Sequence, residues 1–105
     1  MSILEWTDVA AVDEVSIGDV IGRVIGGRDM AIFNADGDFF ATDNLCTHGR
    51  ARLCGGFVEG HEIECPLHQA RFDIRTGQPT CGPATQALRC HPVKTENGRI
   101  YIALG

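Results

Sequence analysis

The chain has no apolar run approaching the roughly twenty residues that a membrane-spanning helix needs. Its start, Met1-Ser2-Ile3-Leu4-Glu5-Trp6, lacks the positive segment and apolar stretch of a secretory signal. Lys and Arg form no cluster and the net charge is −5, which makes a poor nucleic-acid binder. Cysteine occurs five times, an odd count that argues against a secreted disulfide framework. No stretch holds a helical period beyond about three turns. These absences point away from nucleic acid and membrane as partners, and toward the cytoplasm.

What is present reads as β-structure. At 105 residues the chain is expected to be a single domain, 1–105, with a modest core. Short apolar runs are punctuated by glycine. Val20 to Ile25, Asp29 to Asn34 and Asp38 to Thr42 form a predicted meander turning at Gly26-Gly27 and Asp36-Gly37. Val93 to Thr95 and Arg99 to Leu104 flank Asn97-Gly98, another hairpin signal, and the apolar run Ile100 to Leu104 suggests a strand covered on both faces. Between them, residues 43–85 are rich in Gly, Cys and Arg, with short strands expected at Gly56 to Glu59, Glu62 to Cys65 and Arg71 to Ile74. The expected class is all-β: small antiparallel sheets forming a sandwich or barrel base from about 1–42 plus 86–105, with 43–85 inserted as a binding subdomain. Charge is uneven, at −6 over 1–42, −1 over 43–85 and +2 over 86–105. The acidic first third is either a solvated face or a surface for basic partners.

Chemistry concentrates in four residues. Cys46-Thr47-His48 and Cys65-Pro66-Leu67-His68 are two short ligand pairs of the same composition. Thiolates suit zinc and iron–sulfur clusters alike. Zinc-finger spacing puts both Cys in one pair and both His in the other, whereas each pair here holds one of each. A Cys-x-His pair is tight for two ligands on one tetrahedral metal. It suits a loop whose Cys reaches one iron and whose His reaches the next, two Cys on one iron and two His on the other.

Cys46-Thr47-His48-Gly49 and Cys65-Pro66-Leu67-His68 resemble the two cluster loops of Rieske proteins, and Gly77-Gln78-Pro79 with Pro83-Ala84 resembles the proline loop that covers the cluster there. The resemblance implies the Rieske fold and one Rieske-type [2Fe–2S] cluster, held by Cys46, His48, Cys65 and His68. The segment Ala41 to Gly49 looks closest to the ferredoxins of bacterial aromatic-ring-hydroxylating dioxygenase systems of the naphthalene and biphenyl type. By that resemblance the chain is an electron carrier and not an enzyme. It would pass single electrons from a flavin-dependent ferredoxin reductase to a terminal oxygenase that itself carries a Rieske centre and a mononuclear iron. The alternative is the small Rieske-like subunit of an assimilatory nitrite reductase. Partners are expected over the tip, at Gly49, Gln69 and Pro83. Arg50 and Arg52 read equally as solvated charges or as docking charges.

The departures from the family carry information. High-potential respiratory members have an extra Cys in each loop, joined as a disulfide; the matching positions look like Ala51 and Leu67. Those members also place Ser and Tyr hydroxyls at positions that match Ala70 and Phe72. Lost donors disfavour the extra negative charge of the reduced form, so a potential at the low end of the Rieske range, roughly −150 mV, is expected. Cys90 is expected to be a small buried side chain. Cys54 and Cys81 allow a disulfide that a cytosolic setting disfavours. His61 and His91 are expected to be exposed or half-buried.

Overall fold

The computed structural model describes residues 5–47, 51–66, 69–81 and 86–104. Among the described residues, eleven strands make up three antiparallel sheets. The first joins β1 (Glu5–Ala11), β11 (Arg99–Leu104) and β10 (Val93–Glu96), in that order. The second runs β2 (Asp19–Ile25), β3 (Arg28–Ala35), β4 (Asp38–Asp43) and β9 (Cys90–His91). The third, much smaller, runs β5 (Phe57–Glu59), β6 (Glu62–Glu64), β7 (Arg71–Asp73) and β8 (Pro79–Cys81). No helix among the described residues is long and apolar enough to cross a membrane.

The hairpins follow from their turn residues. Ile25 pairs with Arg28, Ala35 with Asp38 and Glu96 with Arg99, each across a two-residue loop. Both central residues of all three loops have positive φ: Gly26 and Gly27, Asp36 and Gly37, Asn97 and Gly98. That backbone matches the right-handed twist of the flanking strands, and Gly, Asn and Asp adopt it most readily.

The eight strands expected from the sequence are present, with ends shifted by a residue or two. Three more were not expected. β1 is an edge strand on which Ala10 is the one fully buried residue, and a register shift between Asp8 and Ala10 breaks its alternation. β8 opens on Pro79, at an edge and a strand start, where a missing N–H costs no ladder bond. β9 is two residues long. β11 is central in its sheet, and Ile100, Ile102 and Ala103 are buried, as its continuous apolar run suggests.

β3 joins the layers. Its Met30 and Ile32 point into a core shared with Ala10, Val15, Ala41, Ile100 and Ile102, between the two larger sheets. Its Ala31, Phe33 and Ala35 point the other way, into a second core with Cys46, Leu53, Ile63, Cys65, Ala70 and Phe72. Strand side chains alternate between faces, so one strand serves both. Asn34 is the polar exception among the buried residues of β3. Its amide donates to the Val15 carbonyl at 2.8 Å and its Oδ1 accepts from Gly37 N–H at 2.9 Å.

Truncating this strand should be costly. Phe33→Ala is expected to destabilise by about 3–5 kcal/mol through lost burial and a cavity. Val24→Ala, at a side chain 70% exposed, should stay within about 0.5 kcal/mol. Chemical denaturation followed by circular dichroism checks both, and equal losses would place the core elsewhere.

Candidate metal centre

Two loops close in the same way. Leu45 and Arg52 form an antiparallel bridge, and the Cys46 N–H donates to the Ala51 carbonyl at 2.9 Å. Glu64 pairs with Arg71, and the Cys65 N–H donates to the Ala70 carbonyl at 2.7 Å. Each loop is thus closed from its cysteine to the residue five positions on. The alternation that sends Leu45 and Glu64 toward solvent sends Cys46 and Cys65 inward. Both cysteines belong to one buried apolar cluster, at 2% and 0% exposure. The two loops, remote in sequence, therefore bring two sulfur donors into one water-poor core.

His48 and His68 lie outside the described residues, as do Gly49, Arg50, Leu67, Pro83 and Ala84. Gln69, beside His68, is exposed and has φ +59, a left-handed conformation uncommon for a residue other than glycine. Arg52 pairs with Asp29 at 3.0 Å while two-thirds exposed.

The first loop is bolted to the larger sheets by Asn44, which the sequence reading did not single out. Asn44 is buried, and every polar group it has is used. Its N–H donates to the Asp29 carbonyl at 3.0 Å, and its carbonyl accepts from Leu53 N–H at 2.7 Å. Its Oδ1 accepts from Cys54 N–H at 2.9 Å, and its Nδ2 donates to Asp29 Oδ1 at 2.9 Å and to Cys54 Sγ at 3.3 Å. Gly22 on β2 makes room, since a Cβ there would come within 3.0 Å of Cys54 Sγ and 3.1 Å of Asn44 Nδ2. An Asn between a strand end and a cysteine loop reads as turn chemistry, and only the fold shows it buried.

The segment around Gly77-Gln78-Pro79 is held close. Leu88 N–H donates to the Gly77 carbonyl at 2.8 Å, and a Cβ on Gly77 would lie 2.2 Å from the Leu88 carbonyl oxygen. Thr47 Oγ1 donates to the Gln86 carbonyl at 2.8 Å, tying the first loop to the chain that follows this segment.

The remaining candidates divide. Ala70 and Phe72 are fully buried in the cluster that holds both cysteines, and neither offers a hydroxyl there. Cys54 is half-buried on Asn44 and Cys81 is exposed; they form no disulfide. Cys90 corrects an expectation: β9 leaves the residue exposed, with its sulfur beside Gly77. Partial burial, with Asp73 and Asp43 nearby, pushes that thiol's pKa up. His91 corrects another, since it is buried. Its pairing with Ala41 turns the ring inward, and Nε2 meets Asp43 Oδ1 at 2.8 Å. His61 is half-buried, edge-on to Phe40 with centroids 6.0 Å apart.

Comparison with known proteins agrees with this chemistry. The family profile of the Rieske [2Fe-2S] domain matches residues 5–92. The ferredoxin component of the naphthalene 1,2-dioxygenase system of Pseudomonas aeruginosa is 50% identical over 100 residues, 95% of this chain and 96% of that protein. The Sphingomonas yanoikuyae B1 ferredoxin superposes with a TM-score of 0.91 at 35% identity, covering 96% of this chain and 100% of that one. A chain in the complex of reduced oxygenase and oxidized ferredoxin in carbazole 1,9a-dioxygenase gives 0.88 at 33%, covering 93% and 92%. A putative nitrite reductase small subunit from Mycobacterium tuberculosis, 24% identical with a TM-score of 0.87 over 99% of this chain and 98% of that one, shares the fold. The matches support a Rieske-type [2Fe–2S] cluster as the cofactor, and two buried sulfur donors at the bases of matched loops fit it.

Asn44→Ala should leave the Cys54 N–H without its acceptor and destabilise by about 1–3 kcal/mol. Thiol labelling of Cys54 should speed up in the folded protein. Labelling at the wild-type rate would show that Asn44 does not hold this loop.

Proposed function

The chain belongs to the Rieske [2Fe-2S] domain family, and we propose that it is the ferredoxin of an aromatic-ring-hydroxylating dioxygenase system. It takes single electrons from a flavin-dependent reductase and delivers them to a terminal oxygenase with a Rieske centre and a mononuclear iron. The observation that carries this reading is the pair of buried cysteines, Cys46 and Cys65, on two equally closed loops of one apolar core. Near-full-length identity to a ferredoxin component of a naphthalene dioxygenase system supports the choice of partners. The cytoplasm is the proposed location. Residues 43–85 are proposed as the cluster-binding subdomain on a base of 1–42 and 86–105; the third sheet is drawn wholly from 57–81.

Cys46 and Cys65 would bind one iron, and His48 and His68 the other. When bound, the cluster accepts and releases one electron. With two thiolates and two neutral imidazoles, the oxidised unit has no formal charge, against −2 for four thiolates, so reduction is easier than in a four-cysteine ferredoxin. The protein sets the rest. Phe72, Ile63 and Leu53 keep water from the cysteine side. The side chains of Ala70 and Phe72 carry no hydroxyl to donate to sulfur, which would leave the added electron less stabilised and the potential at the low end of the family range, roughly −150 mV. A low potential suits delivery to an oxygenase.

Purified protein should be red-brown and hold about two irons and two acid-labile sulfides per chain. Stoichiometric zinc without sulfide would overturn the reading. His68→Ala should abolish the visible spectrum, whereas His61→Ala should preserve it.

Ala70→Ser and Phe72→Tyr should each raise the reduction potential, by tens of millivolts if the hydroxyl reaches a sulfur, where about 59 mV is a tenfold change in a one-electron equilibrium. A double variant that keeps its spectrum and its potential would show that these positions do not face the cluster.

A further inference from the structure

The outer face of the third sheet has a composition that folding does not require. Its inner face, Val58, Ile63 and Phe72, packs on the cysteine core. On the outer face Glu59 stands directly opposite Glu62, and Glu62 directly opposite Asp73. Three carboxylates thus lie side by side across three strands, and like charges in register destabilise a sheet. In the next row Phe57 pairs with Glu64 and Glu64 with Arg71. Arg71 spreads one guanidinium over Glu59 at 3.5 Å, Glu62 at 3.4 Å and Glu64 at 3.0 Å, while Arg75 takes Asp73 at 3.0 Å. Four carboxylates against two guanidiniums leave the face negative. At its β5 edge Phe57 is 67% exposed. Phe57, Glu59, Glu62, Glu64 and Arg71 line a shallow cavity of about 390 Å³.

Charge alone has an ordinary explanation, because carboxylates on an edge such as β5 discourage strand-to-strand aggregation. That explanation does not cover Phe57, which puts an apolar ring on the very edge to be protected. An exposed aromatic ring on a face where carboxylates outnumber guanidiniums is the composition of a docking surface, where the ring supplies buried contact and the net charge steers approach. The position also serves electron transfer: Glu64 immediately precedes Cys65, and Arg71 immediately follows Ala70, which closes the second loop.

We infer that the outer face of the third sheet, centred on Phe57, Glu59 and Glu62, is a docking surface for one redox partner protein. That partner presents Lys and Arg around an apolar socket. The inference rests on the electron-carrier reading and adds to it a recognition surface beside the second loop.

The test uses cluster-loaded protein with the reductase and the terminal oxygenase of its own system, each half-reaction measured separately across a salt series. The variants are Phe57→Ala and the double variant Glu59→Gln, Glu62→Gln. Both should keep the visible spectrum and the reduction potential. The double variant should melt no lower than the wild type, because it relieves like-charge repulsion. In one half-reaction, KM for this protein should rise about tenfold at low salt with kcat unchanged, and the salt dependence should flatten. The other half-reaction should not change. Unchanged KM in both half-reactions, with wild-type transfer intact, would overturn the docking surface and leave the carrier reading standing. Equal slowing of both half-reactions with an altered potential would also overturn it, by placing the effect at the cluster. Failure of the wild type to exchange electrons with either partner would overturn the carrier reading itself.

Discussion

β3 has almost no solvent-facing surface, and the molecule is organised around that fact. From Met30 to Ala35 every residue is buried. A strand covered on both sides needs a layer on each. The sheet of β1, β10 and β11 supplies one. Among the described residues, the other comes mainly from the segment that carries the cysteines, with Leu88 beside it. The apolar cost of leaving Ala31, Phe33 and Ala35 in water therefore drives the docking of both cysteine loops. Metal-centre geometry and fold stability are consequently one problem, and the bound cluster should in turn stabilise the fold, since binding energy for a site absent in the unfolded chain is folding energy.

The same packing explains the electronic character of the site. Among the described residues, the Leu, Ile, Phe and Ala side chains of this core exclude water on the sulfur side and carry no hydroxyl. Hydroxyls at Ala70 or Phe72 would need partners of their own, and an unsatisfied one in this cluster would cost stability. The low potential proposed for the site and its apolar, closely packed cysteine core would thus arise from the same residues.

Much of this was legible in the sequence, for physical reasons that also mark where legibility stops. Two-residue turns of Gly, Asp and Asn fix register locally, so the hairpins around Gly26, Gly37 and Gly98 could be read from neighbours alone. The two cysteine loops could be read because metal chemistry would restrict residue type and spacing together, and the structure brings Cys46 and Cys65 into one core. β1 could not, because an edge strand with one buried residue has no alternation to display. Asn44 and His91 could not either. A polar residue is placed in a core by partners distant in sequence, Asp29 and Cys54 for the one and Asp43 for the other. The acidic row on the third sheet is likewise invisible until pairing is known, since Glu59, Glu62 and Asp73 become neighbours only through β6.

The two loops close in the same way but do not share an anchor, and this difference decides what each flank is able to do. The first loop hangs on buried polar contacts to β3: Asn44 to Asp29, with Arg52 adding an ion pair to the same aspartate. Buried, fully satisfied hydrogen bonds fix geometry and tolerate little substitution. The second loop rests on apolar side chains, Ile63 and Phe72, while its charges lie outside on the sheet. Exposed ion pairs contribute little to stability, about 0–1 kcal/mol each. The outer face of the third sheet can therefore vary in charge without loosening Cys65, whereas Asn44 and Asp29 cannot vary so freely without disturbing the support of Cys46. A carrier that must be recognised by other proteins has its adjustable surface where the fold depends on it least.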